Sequence, residues 1–401
     1  HPASDRNKEP ISHKTNFRPH NPEPNPQAMK IAIEAQRIFR TNKHGMDFVA
    51  LETIRQLQQL DPENEYYILV SPGEDRCLSE SANFHIVEIS CPTYPLWEQV
   101  ALPRAVRKIR PDLLHCTSNT APVRCSAPLV LTLHDIIFLE KRAAQNRSMY
   151  QNLGWHYRRL VVPRILPHCR KVITVSRFEQ QRIQQALQLP EGVLTTIHNG
   201  VSPHFRPVAD PGAVTRKYLP EDRFLFFLGN TDPKKNTPRT LRGYARYREL
   251  SQRPLPLLVA DLKPEAADAL LREHGIEGIR PALRLPGYIP NTDLPAIYSG
   301  AETFLYTSLR ESFGIPILEA MACGTPVVTS NTSAIPEIAG EGAILVDPLD
   351  EEAIAAQLLR LETDRQVRAD QAAYGLARAP QFTWEATARK LLDLYRSVAA
   401  Q

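Results

Sequence analysis

Glu311-Ser312-Phe313-Gly314-Ile315-Pro316-Ile317-Leu318-Glu319 follows the apolar strand Thr303–Tyr306 and leads into a helix. Gly314 permits an unusual backbone angle or a close approach by a ligand. Pro316 suits a first helical turn. The helix runs to about Cys323 and stops at Gly324, with Pro326 beyond. Its free amides and positive dipole end form a site for an anion such as phosphate. Glu319 sits among Ile317, Leu318, Ala320 and Met321, where a carboxylate needs a partner. Sugar hydroxyls can serve, because they donate to an acceptor-only group. The bland alternative is a surface Glu311 and a Glu319 paired with a nearby Lys or Arg.

Outward from this turn, strands and helices alternate along the whole chain. Expected strands in the first part are Lys30–Glu34, Tyr66–Val70, Phe84–Ile89, Asp112–His115, Pro128–Leu133, Lys171–Val175 and Leu194–His198. Met46–Leu60 and Trp97–Ile109 read as helices. Asn199-Gly200 marks a turn, and Val201–Gly212 carries three prolines, as a linker does. The alternation restarts at Phe224–Leu228 and continues through Leu257–Ala260, Leu283–Leu285, Thr303–Tyr306, Pro326–Thr329 and Ala343–Val346. Thr383 is an N-cap candidate for a last helix, Trp384–Val398. Such alternation predicts an α/β fold with two doubly wound parallel sheets. Ligands of such sheets lie beyond the carboxyl ends of the strands, so the cleft between the halves is the expected site.

At 401 residues the chain is too long for one ordinary domain. The expected units are 29–205, 206–382 and a last helix, 383–401, that packs back on the first half. Residues 1–28 are polar and proline-rich and read as an unstructured extension or an expression remnant. They lack the apolar stretch of a signal peptide, and no apolar run approaches a membrane span, so a cytoplasmic protein is expected. The net charge of +4 is too small to suggest nucleic acid. The six cysteines form no C-x-x-C pair and read as buried free thiols.

Three further features carry chemistry. Gly229-Asn230-Thr231-Asp232-Pro233-Lys234-Lys235 follows a strand, so its glycine suits close approach and its lysines suit phosphates. His134-Asp135 ends the strand Pro128–Leu133, where a histidine facing the cleft can exchange a proton near neutral pH. Lys141–Lys171 holds eight Lys/Arg and no Asp or Glu, interleaved with Tyr150, Trp155 and Tyr157. That pattern suits either a solvated helix face or an anionic membrane surface.

The run Pro286-Gly287-Tyr288-Ile289-Pro290, Leu294, Tyr298, Glu311 through Ser330, and Ile335-Pro336-Glu337 closely resembles the group 1, family 4 type glycosyltransferases. The resemblance is dense from about 224 to 348 and looser from 30 to 223. It looks closest to a bacterial mannosyltransferase-like branch that builds surface polysaccharides. It implies the GT-B fold: two Rossmann-like domains facing across a cleft. It also implies a retaining transfer of a sugar, here mannose from GDP-mannose with a UDP-sugar as the other candidate. The acceptor implied is a glycan or lipid-linked glycan, met at the inner face of the membrane.

By the same resemblance, Glu311 contacts the donor sugar and Glu319 the ribose. The amides of Phe313, Gly314 and Ile315 hold phosphates and sugar. Gly287 and Tyr288 lie by the nucleobase. Gly229, Lys234 and Lys235 serve the diphosphate, with Asn230 where many relatives carry Arg. His134 lies by the donor sugar and orients charge, while the leaving phosphate takes the acceptor's proton. Gly45, in a departing version of the family's Gly-rich loop, approaches phosphate or acceptor. Glu98 is read as structural first and acceptor-binding second. No cofactor and no metal are expected. An epimerase on the same scaffold and a non-catalytic partner subunit are the competing functions.

Overall fold

The computed structural model describes residues 27–140 and 149–401. The expected extension therefore lies outside the described residues up to 26, as does the start of the basic stretch, 141–148. The first half holds strands β1 (Lys30–Glu34), β2 (Glu65–Val70), β3 (Phe84–Glu88), β4 (Leu113–Cys116), β5 (Leu129–Thr132), β6 (Cys169–Thr174) and β7 (Leu194–Thr196). Their order is β3-β2-β1-β4-β5-β6-β7, and every pairing is parallel. The second half holds β8 (Leu225–Leu228), β9 (Leu257–Ala260), β10 (Leu283–Gly287), β11 (Thr303–Tyr306), β12 (Val327–Ser330) and β13 (Ile344–Val346). Their order is β10-β9-β8-β11-β12-β13, again all parallel.

Both sheets are covered on both faces, which is why their strands read as unbroken apolar runs. Leu225 and Phe227 enter the core on one face of the second sheet, while Phe224 and Phe226 enter the core on the other. In the first half Ile31 and Ile33 pack on one side and Ala32 on the other. Each such buried Phe or Leu contributes about 1.5–3 kcal/mol, so these central strands anchor the two halves.

Two sequence expectations change in detail. The helix expected at Trp97–Ile109 starts earlier, with a turn at Tyr94–Leu96, and within the expected range is a π-turn at Trp97–Ala101 followed by Leu102–Ile109. Pro103 has no amide to give, and the Leu102 amide reaches back to the Trp97 carbonyl in a wider turn. Of the six cysteines expected to be buried, Cys116, Cys169 and Cys323 are, while Cys77, Cys91 and Cys125 are only half-buried. All six are free thiols.

The last helix, Trp384–Ala399, is capped by Thr383 Oγ1, which accepts from the Ala386 amide at 3.1 Å. It lies on the first half, against helix Gly45–Leu60. Its Tyr395 hydroxyl meets His115 Nδ1 at 2.6 Å, and His115 Nε2 meets Thr132 Oγ1 at 2.7 Å. Burial pushes the His115 pKa down to about 3, so this ring is a neutral core bridge.

The chain crosses between the halves twice, and the crossings touch. Val201 bridges Thr383, and its amide donates to Phe382 O at 3.0 Å. A Cβ at Gly200 would lie 2.3 Å from the Trp384 nitrogen, so only glycine allows this approach. A third tie runs from Glu337. Its carboxylate accepts from the Arg177 and Phe178 amides at 2.9 and 3.1 Å, capping helix Arg177–Leu187 from the other half. It also meets His198 Nε2 at 2.6 Å, and these contacts outweigh its burial and hold its pKa below the usual value.

Candidate active site

Three chain segments converge at the carboxyl ends of β8 and β11. After β8, Asp232 caps a 3-10 turn, Pro233–Lys235, by accepting from the Lys234 amide at 3.0 Å. Asn236 follows with φ 58° and pins the turn, donating its side-chain amide to Thr307 O at 2.9 Å and Pro348 O at 2.8 Å. Lys235 is thereby aimed at β11. Its Nζ donates to the Tyr306 hydroxyl and to Glu311 Oε1, each at 2.8 Å, and Tyr306 donates to the same Glu311 oxygen at 2.7 Å.

Burial alone would lower the Lys235 pKa, but Tyr306 and Glu311 overcome it and raise it. The lysine is a cation at any working pH. Glu311 is fixed from its backbone as well, its amide donating to Ser333 Oγ at 2.9 Å. So Glu311 is no free surface residue, and Lys235 and Glu311 neutralise each other. Their side chains remain 26% and 15% exposed, which leaves a ligand a route in.

Gly314 has φ 98°, a conformation that only glycine adopts without strain, and it is the N-cap of helix Ile315–Ala322. Among the described residues no side chain caps this end. Phe313 turns inward, 3% exposed, between His198 and Phe382, and so holds the turn against the core. Glu319 is half-buried on this helix. The Tyr298 hydroxyl donates to it at 3.3 Å, a long bond, and no Lys or Arg pairs with it among the described residues. Burial pushes its pKa up to about 7, with Tyr298 pulling weakly back.

The remaining expected residues fall at two edges. Gly287 ends β10 at φ 78°, with open space where a Cβ would stand, and Tyr288 beside it is 76% exposed. The place of a Cβ at Gly229 is taken by the Phe227 ring at 2.4 Å, so this glycine serves packing beneath the loop. The Asn230 side chain accepts from the Asp232 amide at 2.9 Å and so shapes the loop. Lys234 is exposed and lies 3.8 Å from Asp232.

In the first half His134 is buried at the end of β5. Its amide donates to Asn119 Oδ1 at 2.7 Å, and Nε2 lies 2.9 Å from Thr117 O. A carbonyl only accepts, so Nε2 carries the proton and Nδ1 the lone pair. Burial lowers the His134 pKa, with Thr117, Asp135 and Asp47 acting against it, so the neutral ring prevails near pH 7. Gly45 opens helix Gly45–Leu60, but Asp47 already accepts from the His44 amide at 2.9 Å at that end. The helix start offers an incoming anion less than its glycine suggests.

Glu98 is fully buried and accepts from the hydroxyls of Tyr94, Thr120 and Tyr157 at 2.6, 2.7 and 2.7 Å. That satisfied state is its structural reading. Sequence reasoning missed Glu34, buried at the carboxyl end of β1, whose pKa rises to about 8 through burial and the charge of Glu98. The signal was an acid closing the apolar run Ile31–Ile33.

The comparisons fit this architecture. The family model described as glycosyl transferases group 1 matches residues 216–378, and that of glycosyltransferase family 4 matches 44–205. The O-antigen chain mannosyltransferase B of Escherichia coli is 32% identical over 300 residues, covering 73% of this chain and 76% of its own. Sucrose-phosphate synthase from Thermosynechococcus elongatus superposes with a TM-score of 0.73 at 21% identity, over 93% of this chain and 99% of its own. Anabaena Alr3699/HepE in complex with UDP-glucose superposes with a TM-score of 0.70 at 18% identity, over 92% of this chain and 100% of its own. With two parallel-sheet halves and family matches across both, this chain belongs to the group 1 glycosyltransferases, a retaining family of GT-B fold.

Proposed function

We propose that this chain moves mannose from GDP-mannose to a glycan or lipid-linked glycan, with retention at the anomeric carbon. The observation that carries the site is the Lys235–Tyr306–Glu311 cluster set beside the uncapped helix start at Gly314. Lys235, with Lys234 and the amides of Phe313, Gly314 and Ile315, supplies positive charge to the donor diphosphate. Glu311, freed from Lys235 as phosphate arrives, accepts from sugar hydroxyls. Glu319 accepts from the ribose, whose hydroxyls are stronger partners than the distant Tyr298. Tyr288 offers an exposed ring for the base, and Gly287 lets the backbone turn past it. As the bond between the anomeric carbon and the diphosphate oxygen breaks, the acceptor oxygen attacks from the same face. Its proton passes to the departing phosphate. His134 presents Nδ1 as an acceptor and orients charge.

The choice of mannose rests on the name of the Escherichia coli relative. A thermal-shift panel of GDP- and UDP-sugars, followed by product analysis with glycan acceptors, tests it. GDP-mannose stabilising the protein most and being transferred supports the reading. A different sugar transferred, or sugar product formed with no acceptor present, refutes it.

Helix Met149–Ile165 supports contact with an anionic membrane. Met149, Leu153 and Leu160 are spaced four and seven apart, so they share one face, and all three are exposed at 79%, 64% and 55%. Exposed Arg159 and Arg164 lie on the same helix. No helix among the described residues is long and apolar enough to cross a membrane. Vesicles rich in anionic lipid are expected to bind the protein at low salt and release it at high salt. Absence of binding at low salt would sink the idea.

A further inference from the structure

Glu311 is flanked by two residues that reach across the cleft. Arg310 Nη1 donates to Glu140 Oε1 at 2.6 Å. Ser312 Oγ donates to Glu179 Oε1 at 3.1 Å. Glu140 ends the turn that begins just after His134-Asp135, and Glu179 lies in the first turn of helix Arg177–Leu187. One clasp thus joins the residues beside Glu311 to the segment that carries His134.

The clasp is incomplete. Arg310 Nη2 stands 3.5 Å from Glu179 Oε1, an ion-pair distance without a hydrogen bond. Among the described residues, Arg310 Nε and Nη2 and Glu179 Oε2 are buried and unbonded. Glu179 is fully buried, and Arg310 is 16% exposed. A guanidinium fork facing a carboxylate at this range favours a bidentate pair, and a small closing shift of the halves would make one. Arg182 shares Glu140 Oε1 with Arg310, and among the described residues the buried Glu179 Oε2 is unbonded and so open to that pair.

We propose that Arg310 and Glu179 are positioning residues for sugar transfer, a clasp that completes as the cleft closes and sets Glu311 against His134. The proposal rests on the roles given above to Glu311 and His134. Neither clasp residue needs to touch the substrate. The donor is gripped chiefly by the second half, so loss of the clasp falls on turnover rather than on donor affinity. Misplacement of reacting groups by about 1 Å costs on the order of 100-fold in rate, so a loosened clasp is readily measured.

The test is a double-mutant cycle on the full chain with Arg310→Gln, Glu179→Gln and the pair. Each single change is expected to lower kcat about 20-fold, with donor Kd within about threefold of wild type. The double variant is expected to lose about as much as either single, because both remove one clasp. Arg310→Lys keeps the charge but not the fork, so it is expected to recover only part of the loss, to about fivefold below wild type. Wild-type kcat in Arg310→Gln overturns the proposal. So does a loss confined to donor Kd, or a double variant whose loss is the product of the singles. If Arg310→Gln does not fold, Glu179→Gln and Arg310→Lys give the same kcat and Kd comparison. A wild-type protein that transfers no sugar would refute the transfer reading instead, before the clasp is tested.

Discussion

Lys235→Ala lowers kcat/KM for sugar transfer about 1000-fold, at the upper end of what loss of one electrostatic contact in a water-excluded site removes. Two effects add. The diphosphate loses the cation that the pinned turn at Asn236 aims at it. Glu311 loses the ammonium that neutralises it and keeps only the Tyr306 hydroxyl and its backbone ties. An unpaired carboxylate at that depth repels the donor phosphates. Lys235→Arg restores charge but not the compact fit between Tyr306 and Glu311, so it recovers only in part. Steady-state kinetics with the preferred donor decide the matter. A Lys235→Ala enzyme within tenfold of wild type would remove the lysine from the site.

The affinity for nucleotide sugar falls about 100-fold from pH 7.5 to pH 5, at a factor of ten per pH unit below the Glu319 pKa. In the free protein that carboxyl sits near 7 because burial disfavours its charge. Ribose hydroxyls donate to the ionised form and draw the pKa back toward its ordinary value. Binding therefore expels a proton between those two values, and acid opposes it. The stability of the free protein has the opposite slope. The raised pKa means the folded state holds its proton more tightly than the unfolded chain. Its contribution is full below the ordinary value of 4.5 and is lost as pH rises through about 7. Calorimetric titration of wild type and Glu319→Gln across this range separates the terms, and the variant's profile is expected to be flat. An unchanged slope in Glu319→Gln would move the titrating group elsewhere, with Glu179, also raised to about 7, the next to test.

Much of the fold was legible because its local signals agreed. β1, β9 and β11 fall where the apolar runs put them, since buried parallel strands need continuous apolar sequence. Gly314 and Pro316 placed the helix start, because φ 98° and a missing amide are each local requirements. The break in the helix near Trp97 was not legible. Pro103 was visible, but a proline near a helix start is usually tolerated, and only packing shows the wider turn around Glu98. The carboxylate pair was half legible. Spacing alone said little of Glu311 and Glu319, whose roles came from the resemblance, while Lys235 read as a phosphate group rather than as the partner of Glu311.

By itself the sequence determined the two α/β halves, the turn at Gly314 and the candidate residues at strand ends. These depend on periodicity, on backbone angles and on chemistry carried by single positions. Only the tertiary structure decided which charges meet. Glu311 with Lys235, Glu337 with the amides of Arg177 and Phe178, and Arg310 with Glu140 join residues 76 to 170 positions apart. No local pattern encodes such pairs, because side-chain electrostatics act through space and the fold alone sets the distances.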